Sequence, residues 1–423
     1  MKVLVLGSGG REHALVKALN QSPSVTEVHV IPGNAGMTRE ALCHSLDWKN
    51  TEEIIKFCNR TEIDYVMVGP EDPLVAGIGD LLRERGILVV GPSREGAQLE
   101  GSKIFAKEFM IEAKVPTAPY FIVESVEQTL KAAKDFPAPY VLKADGLAAG
   151  KGVFICKTLE DLKAAATDLF EKRILGAAGS RALLEKFMPG WELSFLVLTN
   201  GSSYEVLPLA QDHKRLSDGD QGPNTGGMGT VAPLKISAGL REQIENQIIK
   251  PSVQLMDQKK LIFRGVLFVG IMVTEQGAQV LEFNTRFGDP ETQVILPLLE
   301  GDWGLVLRDL ARGHLQKLRW KNLHTCCVVM AAPGYPQNSK KGVVIDGQIE
   351  SESTSSYFIH AGTARNQQNV WTTNGGRVLG AVGFGSSRKE AIRNAYMQAA
   401  CVKWNGIEMR KDIGARSALG EEP

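Results

Sequence analysis

The sequence predicts a multidomain protein that combines the α/β and α+β classes. Short apolar runs alternate with helix-length polar segments over the first hundred or so residues, a pattern typical of a parallel, doubly wound sheet. Further along the chain, a small α/β unit is followed by strands joined by short turns and then by a mixed unit. With 423 residues, the chain also exceeds what one compact core usually carries.

Four domains follow from this arrangement. The predicted ranges are an N-terminal doubly wound domain at 1–118, a small α/β domain at 119–190, an antiparallel-sheet domain at 191–320 and a C-terminal mixed α/β domain at 321–423. Ligands of doubly wound sheets bind beyond the carboxyl ends of the strands. The first domain should therefore bind its ligand along Gly7–Arg11, Pro32–Asn34 and Gly69–Asp72, which each follow an apolar run.

Local signals give the elements within these domains. Ser125 and Gln128 form a capping box that predicts a helix there, and Asn200–Gly201 is a strong β-hairpin signal. Ser217–Gly229 is rich in Gly, Asp and Pro and too long for a simple turn, so we expect a functional or disordered loop. The main strands are predicted at Val3–Leu6, Val28–Ile31, Tyr65–Val68, Leu88–Val90, Tyr140–Lys143, Val153–Cys156, Ala182–Glu185, Leu193–Thr199, Tyr204–Leu209, Val266–Val273, Gln279–Asn284, Cys327–Met330, Tyr357–His360 and Arg377–Val382, with helices near Arg241–Gln258 and Arg388–Val402.

Composition excludes several classes of function. The 48 basic residues equal the 48 acidic ones, so no global charge attracts nucleic acid or a membrane surface. No apolar run approaches the roughly 18 residues needed to span a bilayer, and the first residues lack the pattern of a signal peptide. The six cysteines show no C-x-x-C spacing, so we expect buried, reduced thiols. We expect a cytoplasmic protein.

Two glycine-rich segments resemble phosphate-binding motifs without matching them. Gly7-Ser8-Gly9-Gly10-Arg11-Glu12 lacks the third glycine of a dinucleotide fingerprint, and no acid ends the second strand. It still offers backbone N–H groups to an anion at a helix N-terminus. The segment 145–152 is one residue short of a Walker loop and has Gly152 where Ser or Thr would bind magnesium. A flexible hairpin over phosphates fits it better, with a purely structural hairpin as the alternative.

The strand Val280–Asn284 carries the clearest candidate for chemistry. Alternation along a strand puts Glu282 and Asn284 on one face, and Leu281 and Phe283 on the other. A carboxylate and an amide oxygen side by side are ligands that suit Mg²⁺. Arg286 should reach the same face and could stabilise charge on a transferring phosphoryl group. A half-exposed strand edge without function is the alternative interpretation of these residues alone.

Several further residues are candidates for nucleotide contacts. Lys143 ends a buried strand and needs an anionic partner, because an unpaired buried charge is costly. Lys103 opens a helical segment and is a second candidate for a phosphate contact, with an ordinary surface lysine as the alternative. The segment 184–188 could offer backbone groups to an adenine edge. Glu192 is placed to accept hydrogen bonds from ribose hydroxyls.

Read in order, the motifs resemble one known family from end to end. They are GSGGREHA, PGNAG, VGPEDPL, GPS…AQLEGSK, VLKADGLAAGKGV, QDHKR, GPNTGGMG, LEFNTRFGDPETQ, HAGT, TNGGRVL and RKDIG. This order is similar to that of the phosphoribosylamine–glycine ligase (glycinamide ribonucleotide synthetase) family, whose members are ATP-grasp enzymes of purine synthesis. The resemblance implies an ATP-grasp core made of the small α/β lid domain and the antiparallel domain.

The resemblance also implies roles for individual residues. Catalysis would involve Arg286, Lys143 and Asp212, and the metal, Mg²⁺ or Mn²⁺, would bind to Glu282 and Asn284. The reacting substrates would contact Asp212 and Asp289, with the phosphate of 5-phosphoribosylamine near the N-terminal rim. The residues expected to bind ATP are Lys103, Lys143, Gly150, Lys151, Gly152, Glu185, Lys186, Phe187, Met188 and Glu192, and those of the rim are Gly9, Gly10 and Arg11.

The expected reaction is ATP-dependent ligation of glycine to 5-phosphoribosylamine through glycyl phosphate. Small molecules would be its partners, with no nucleic acid or membrane, and the protein would be a monomer or a homodimer. Three alternatives differ in kind: another ATP-grasp carboxylate–amine ligase or carboxylase, a nucleotide-binding protein without catalysis, and a nicotinamide oxidoreductase. No Ser–His–Asp or Cys–His pattern supplies a protein nucleophile.

Overall fold

The N-terminal part of the computed structural model, which describes residues 1–148 and 151–415, is a doubly wound sheet. Its strands are parallel in the order β5-β4-β1-β2-β3. Val3 and Val5 of the first strand face one hydrophobic core, and Leu4 and Leu6 face another on the opposite side. The elements are β1 Lys2–Gly7, α1 Gly10–Asn20, β2 Glu27–Pro32, β3 Leu42–Cys43, α2 Thr51–Thr61, β4 Tyr65–Val68, α3 Glu71–Ala76, α4 Ile78–Glu84, β5 Val89–Pro92, α5 Gln98–Gly101 and α6 Lys103–Glu112.

A small lid unit comes next and is built on a four-stranded sheet in the order β6-β9-β7-β8. Ser125 accepts the backbone N–H of Gln128, which confirms the predicted helix start. One face of the sheet packs on its helices through a core that includes Leu142, Leu162 and Leu184. The elements are β6 Tyr120–Val123, α7 Val126–Ala132, β7 Tyr140–Ala144, β8 Val153–Cys156, α8 Leu159–Ala166 and β9 Ala182–Lys186.

The antiparallel strands that follow continue the N-terminal sheet. β16 pairs with β10 and β17 along most of its length, and its first residues, Phe263 and Arg264, pair with Pro92 and Gly91 of β5. The elements are β10 Trp191–Thr199, β11 Tyr204–Val206, β12 Gln211–Asp212, β13 Arg215–Ser217, β14 Gln221–Asn224, β15 Gly229–Ala232, α9 Ala238–Ile244, α10 Lys250–Gln258, β16 Phe263–Thr274, β17 Gly277–Asn284, α11 Glu291–Ile295 and α12 Trp303–Ala311. One nine-stranded sheet therefore joins two predicted domains.

The C-terminal sheet takes two strands from the middle of the chain. Its order is β12-β15-β18-β23-β20, and β15 pairs along β18. The predicted strands at Cys327–Met330, Tyr357–His360 and Arg377–Val382 are confirmed within longer ones. The elements are β18 His324–Ala331, β19 Asp346–Gly347, β20 Ser356–His360, β21 Thr363–Arg365, β22 Trp371–Thr373, β23 Arg377–Gly385, α13 Arg388–Ala399 and β24 Val402–Lys403. The domain ranges stay a prediction.

Of two connecting segments predicted from the sequence, one has the expected structure and the other is more regular than expected. The hairpin at Asn200–Gly201 is confirmed, since Thr199 pairs with Tyr204. The stretch Ser217–Gly229 was expected to be a loop, but much of it folds as the antiparallel pair β13–β14. We call residues 215–224 the hairpin 215–224. Gly219, with a φ of 70°, and Asp220, with a φ of 56°, supply the left-handed residues that let the chain reverse between β13 and β14.

Candidate active site

Lys143 is buried on the face of the lid sheet opposite the helices of the lid unit, where it contacts an acidic residue of the same sheet. Its Nζ atom is 2.8 Å from Oε2 of Glu185 and donates to the carbonyl oxygen of Leu281 at 3.2 Å. On the other side of Glu185, Nζ of Lys107 lies 3.3 Å from Oε1. Burial lowers the pKa of Lys107 to about 8, although Glu185 opposes this shift. Two lysines thus share one carboxylate, which leaves an excess positive charge next to β17.

Glu282 and Asn284 lie side by side at the end of β17, as the strand period predicted. The Asn284 amide donates to Oε1 of Glu282 at 3.4 Å. The Glu282 side chain is exposed, and although loss of hydration against its neighbours would raise its pKa, Lys103 and Lys143 outweigh this and hold the pKa below its usual range. The carboxylate is therefore ionised at neutral pH, as a metal ligand must be.

The alternation along β17 breaks at Leu281, contrary to expectation. Gly270 pairs with Glu282 whereas Ile271 pairs with Val280, so Leu281 is an extra residue in a β-bulge. Val280 and Phe283 are buried in the core, and Leu281 is only partly buried. The bulge brings the Leu281 carbonyl within reach of Lys143. It also re-aims the residues that follow, as bulges near functional sites commonly do.

Arg286 is held by two carboxylates of the N-terminal unit. Its Nη2 atom is 2.9 Å from Oε1 of Glu100 and donates to Oδ1 of Asn284 at 3.3 Å. Its Nε atom is 3.3 Å from Oε2 of Glu71. Burial raises the pKa of Glu100, an effect that Arg286 only partly opposes. The guanidinium is thereby fixed beside the Glu282–Asn284 pair, where the sequence placed it.

Lys103 is the first residue of α6, and its charge helps to hold the pKa of Glu282 below its usual range. Asp145 accepts from Ser102 Oγ at 2.7 Å and so connects the start of α6 to the lid unit. Lys151 is exposed at the predicted phosphate hairpin. Gly152 is buried, and a Cβ atom there would lie 2.8 Å from that of Ala148. The predicted Gly150 lies outside the described residues.

The predicted adenine segment follows β9 at the edge of the lid unit. Lys186 is exposed, Phe187 is half-buried and Met188 is buried. Glu192 is the second residue of β10 and has an exposed side chain, opposite Met272. Partial loss of hydration against the neighbouring protein raises the pKa of Glu192, and Lys214 opposes this shift.

A second charged cluster lies around Asp212, Lys214 and Glu291. The Lys214 ammonium is 2.5 Å from Oδ2 of Asp212 and 3.9 Å from Oε1 of Glu291. Ser194 donates to the same Glu291 oxygen at 2.9 Å. Glu291 is fully buried, and its Oε2 atom has no hydrogen-bond partner within the described residues. Burial raises the pKa of Glu291, whereas Lys214 lowers it.

Asp289 connects this cluster to the N-terminal rim. Its Oδ2 atom is 3.1 Å from Nη2 of Arg377, and its Oδ1 atom accepts from Gln293 at 2.8 Å. Burial would raise the pKa of Asp289, but Arg377 and Arg11 outweigh it and hold the pKa low. A Cβ atom on Gly9 would lie 3.6 Å from this carboxylate. The rim and the acidic turn after β17 therefore face each other.

Each of the three predicted rim residues lies close to other groups of the protein. Gly9 caps α1, and its N–H donates to Oε2 of Glu12 at 2.6 Å. Gly10 is buried, and a Cβ atom there would meet Gln293 at 2.8 Å. Arg11 is engaged with Glu12 at 2.6 Å and with the Phe287 carbonyl at 3.2 Å. Arg11 thus also joins α1 to the segment that follows β17.

Sequence reasoning missed several residues that organise the site. It gave no individual role to Lys107, Glu100 or Arg377, of which the last two fall within quoted motifs, and it included Glu71 only within a motif and the rim Gly69–Asp72. Lys107 could have been recognised from one feature. It lies among the residues of the apolar face of α6, next to the buried Ala106 and Phe109, where a lysine is unusual. Glu100 and Arg377 act on partners almost 200 and 90 residues away, at Arg286 and Asp289. No local pattern could show those contacts.

The donor set fits ATP together with a divalent metal. Among residues 1–148 and 151–415, no group of three or more His, Cys, Asp or Glu side chains is placed to hold a metal ion. Glu282 and Asn284 alone are what a Mg²⁺ site needs when substrate phosphates and water supply the other ligands. Two lysines near this pair can neutralise phosphates. A lid sheet whose lysine contacts the strand that carries the candidate metal ligands is typical of the ATP-grasp class of ligases.

Comparison with known proteins narrows the class to one family. Family models match the phosphoribosylglycinamide synthetase N domain at residues 1–100, its ATP-grasp (A) domain at 101–292 and its C domain at 325–416. A phosphoribosylamine–glycine ligase from Pseudomonas aeruginosa is 44% identical over 429 residues, covering 100% of this chain and 99% of that protein. The chain belongs to the phosphoribosylglycinamide synthetase family.

Solved structures agree with this assignment. The crystal structure of a phosphoribosylamine–glycine ligase from Thermotoga maritima matches with a TM-score of 0.85 and 34% identity, covering 98% of this chain and 100% of that one. The biotin carboxylase domain of Hydrogenobacter thermophilus 2-oxoglutarate carboxylase matches with a TM-score of 0.76 at 18% identity, covering 96% and 91%. The second likeness shows the shared fold alone. No helix among the described residues is long and apolar enough to cross a membrane.

Proposed function

We propose that this protein ligates glycine to 5-phosphoribosylamine at the expense of ATP and gives glycinamide ribonucleotide, ADP and phosphate. The observation that carries the proposal is the contact between the lid and the metal strand, where Lys143 donates to Leu281 beside Glu282. This contact supports the proposal because it brings a lysine that could bind phosphate next to a candidate metal ligand. Because the chain matches this family of ligases along its length, a carboxylase or a nucleotide-binding protein without catalysis is not favoured as its function.

ATP would bind between the lid unit and β17. Lys143, which donates to the Leu281 carbonyl beside Glu282, and Lys103, at the start of α6, would contact its phosphates. The segment 185–188 would contact adenine and Glu192 the ribose. The lid hairpin, with Gly150, Lys151 and Gly152, would cover the phosphates.

Glu282 and Asn284 would hold the divalent metal, for which we propose Mg²⁺, with Mn²⁺ as a substitute. When bound, the metal would neutralise charge on the phosphates. Asn284 now accepts from Arg286 at 3.3 Å, so its oxygen already faces a positive charge. The Arg286 guanidinium can then stabilise negative charge on the transferring phosphoryl group.

In the first step, a glycine carboxylate oxygen would attack the γ-phosphorus, and the bond to ADP would break. In the second step, the amine of 5-phosphoribosylamine would attack the acyl carbon, and phosphate would leave with the original carboxylate oxygen. Lys143 and Arg286 would stabilise charge in the first step. Asp212 and Asp289, which lie between β17 and the rim, would position the two substrates. The 5-phosphate would bind at the rim formed by Gly9, Gly10 and Arg11.

An oxygen-transfer experiment tests this proposal. With both glycine carboxylate oxygens labelled as ¹⁸O, the phosphate released during ligation should carry one labelled oxygen. Phosphate without label would mean that no acyl phosphate forms, and the proposed mechanism would be wrong. The cytoplasmic location and the monomeric or homodimeric state remain predictions from the sequence.

A further inference from the structure

Arg410, in the C-terminal RKDIG motif, has a fully buried guanidinium that contacts the middle of the chain. Its Nε and Nη2 atoms each donate to Asp412 at 2.7 Å. Its Nη1 atom donates to Oδ1 of Asp220 at 2.8 Å and to the carbonyl oxygen of Arg215 at 3.2 Å. Asp220 and Arg215 both belong to the hairpin 215–224. A buried guanidinium is costly unless its donors are paired, and these contacts pair all three nitrogens.

The same segment also holds the turn of the hairpin through its backbone. Gly219 donates its N–H to Oδ2 of Asp412 at 2.9 Å, and Lys411 donates its N–H to Oδ1 of Asp218 at 2.8 Å. Asp218 and Gly219 are exposed, and neither lies in a hydrophobic core. The described contacts that fix the turn therefore come largely from residues 410–412, about 190 positions further along the chain.

Residues 225–227 follow the hairpin directly and reach the acidic cluster of the candidate site. Thr225 donates its N–H to the Lys214 carbonyl oxygen at 2.8 Å. The carbonyl oxygen of Gly226 accepts from Arg377 at 2.7 Å, and this arginine pairs with Asp289. A Cβ atom on Gly227 would lie 2.7 Å from the Asp212 carboxylate. The hairpin therefore continues directly into the backbone that lies beside the proposed substrate residues.

A second contact ties the same motif to the strand that carries Asp212. The Gly414 N–H donates to Nε2 of His213 at 3.2 Å, so the other ring nitrogen, Nδ1, carries the proton and donates to Gly229 at 3.0 Å. Burial lowers the pKa of His213, which agrees with a neutral ring. The neighbour of Asp212 is therefore also fixed by residues 410–414.

We propose that Arg410 is a positioning residue for the ligation step, acting through Asp412 and the hairpin 215–224 to hold residues 225–227 over Asp212 and Asp289. The proposal rests on the proposed function, because it takes this cluster as the place where the substrates react. Arg410 touches no substrate. Its effect is to keep water away from the acyl phosphate until the amine attacks, which requires the covering backbone to stay in place.

The test uses two variants of the full chain. Arg410→Gln removes the buried cation. Asp220→Asn removes only the charge at the exposed end of the contact and keeps a residue that tolerates positive φ. Asp346→Asn, at an exposed carboxylate in the same unit, is the matched control. If Arg410→Gln does not fold, Asp220→Asn decides alone, since it leaves the Arg410–Asp412 pair intact.

Two readouts are measured for each variant. Hydrogen exchange of amides 217–227 should become about fivefold faster in Asp220→Asn, while β18 and β23 stay as in the wild type. The amount of ligated product per ADP should fall at least about twofold, because glycyl phosphate would be lost to water. A merely destabilised enzyme would lose product and ADP together and leave this ratio unchanged.

Unchanged exchange, or faster exchange with an unchanged ratio, would overturn the positioning role. If the wild type forms no ADP when glycine, 5-phosphoribosylamine and ATP are all present, the proposed function fails instead. In that case the exchange measurement still decides whether Arg410 holds residues 225–227.

Discussion

At the scale of single residues, the arrangement of charge explains why the site can hold several lysines. Lys143 and Lys107 share Glu185, and Glu282 lies beyond them with a lowered pKa. With Lys103 included, three ammonium groups face the carboxylates of Glu185 and Glu282, so this group of side chains is short of negative charge. The phosphates of ATP would supply that charge, so nucleotide binding should be favoured by electrostatics that the folded protein has already arranged.

Glu282→Ala tests the metal strand. Removing this carboxylate should lower the rate of ADP formation by more than about 100-fold at saturating magnesium. The metal that would neutralise the phosphates would lose one of its two protein ligands. Steady-state ADP release measures it. Glu275→Ala, at an exposed glutamate in the turn between β16 and β17, is the control and should match the wild type. Near-normal turnover of Glu282→Ala would remove this residue from the metal site.

Lys143→Met tests the phosphate contact. The substitution keeps the length of the side chain but removes its charge, so kcat/KM for ATP should fall about 100-fold. Glu185 would keep Lys107 as a partner, and the fold should persist. Initial rates over a range of ATP concentrations measure the effect, with Lys157→Met as an exposed control in the lid unit. Unchanged ATP kinetics would count against the role of Lys143.

At the scale of elements, two local irregularities shape the site. The bulge at Leu281 breaks the alternation of β17 and turns a backbone carbonyl toward Lys143. The hairpin 215–224 then brings residues 225–227 over Asp212. Each feature depends on a residue or turn that departs from regular structure, as is common near functional sites.

Gly227→Ala tests the second of these features. Gly227 has a φ of 113°, and a Cβ atom there would lie 2.7 Å from the Asp212 carboxylate. Backbone strain and the clash together should lower kcat at least about tenfold. Gly239→Ala is the matched control, because a Cβ atom there meets nothing within 4 Å and the position is helical. If Gly227→Ala were as active as Gly239→Ala, the close approach to Asp212 would have no part in the reaction.

Sequence patterns predicted the elements of this protein better than their assembly. Apolar runs located the strands, and the spacing of Glu282 and Asn284 put both on one face, as found. Alternation could not predict the bulge, because no residue type at Leu281 marks it. Contacts such as Arg286 with Glu100 join distant segments, and only the family resemblance brought those segments into one site.

At the scale of the whole molecule, one sheet passes through two units. β16 pairs with β5 of the N-terminal sheet and also with β17, the strand that carries Glu282 and Asn284. The rim that would hold the 5-phosphate and the strand that would hold the metal therefore share a rigid support. The C-terminal sheet adds β12 and β15, so Asp212 is carried by a different sheet from Glu282.

Stability should fall as the pH drops below about 6.5, because buried histidines stay neutral in the folded state. Burial lowers the pKa of His360 to about 3; His13 and Arg365 also lower it, and Glu40 opposes them. The unfolded chain binds a proton that the folded one does not, so His360 alone should cost about 1 kcal/mol between pH 7 and 5.5. Urea unfolding followed by tryptophan fluorescence measures this loss. In His360→Gln the loss should shrink by that amount, and an identical pH dependence would contradict the assignment.

The requirement for both substrates tests the central claim most directly. ADP release is measured with glycine alone, with 5-phosphoribosylamine alone and with both present. The account predicts sustained release only with both, with one product molecule formed for each ADP, because the acyl phosphate is protected until the amine arrives. Sustained ADP release that did not depend on glycine, or that proceeded equally well without 5-phosphoribosylamine, would contradict it.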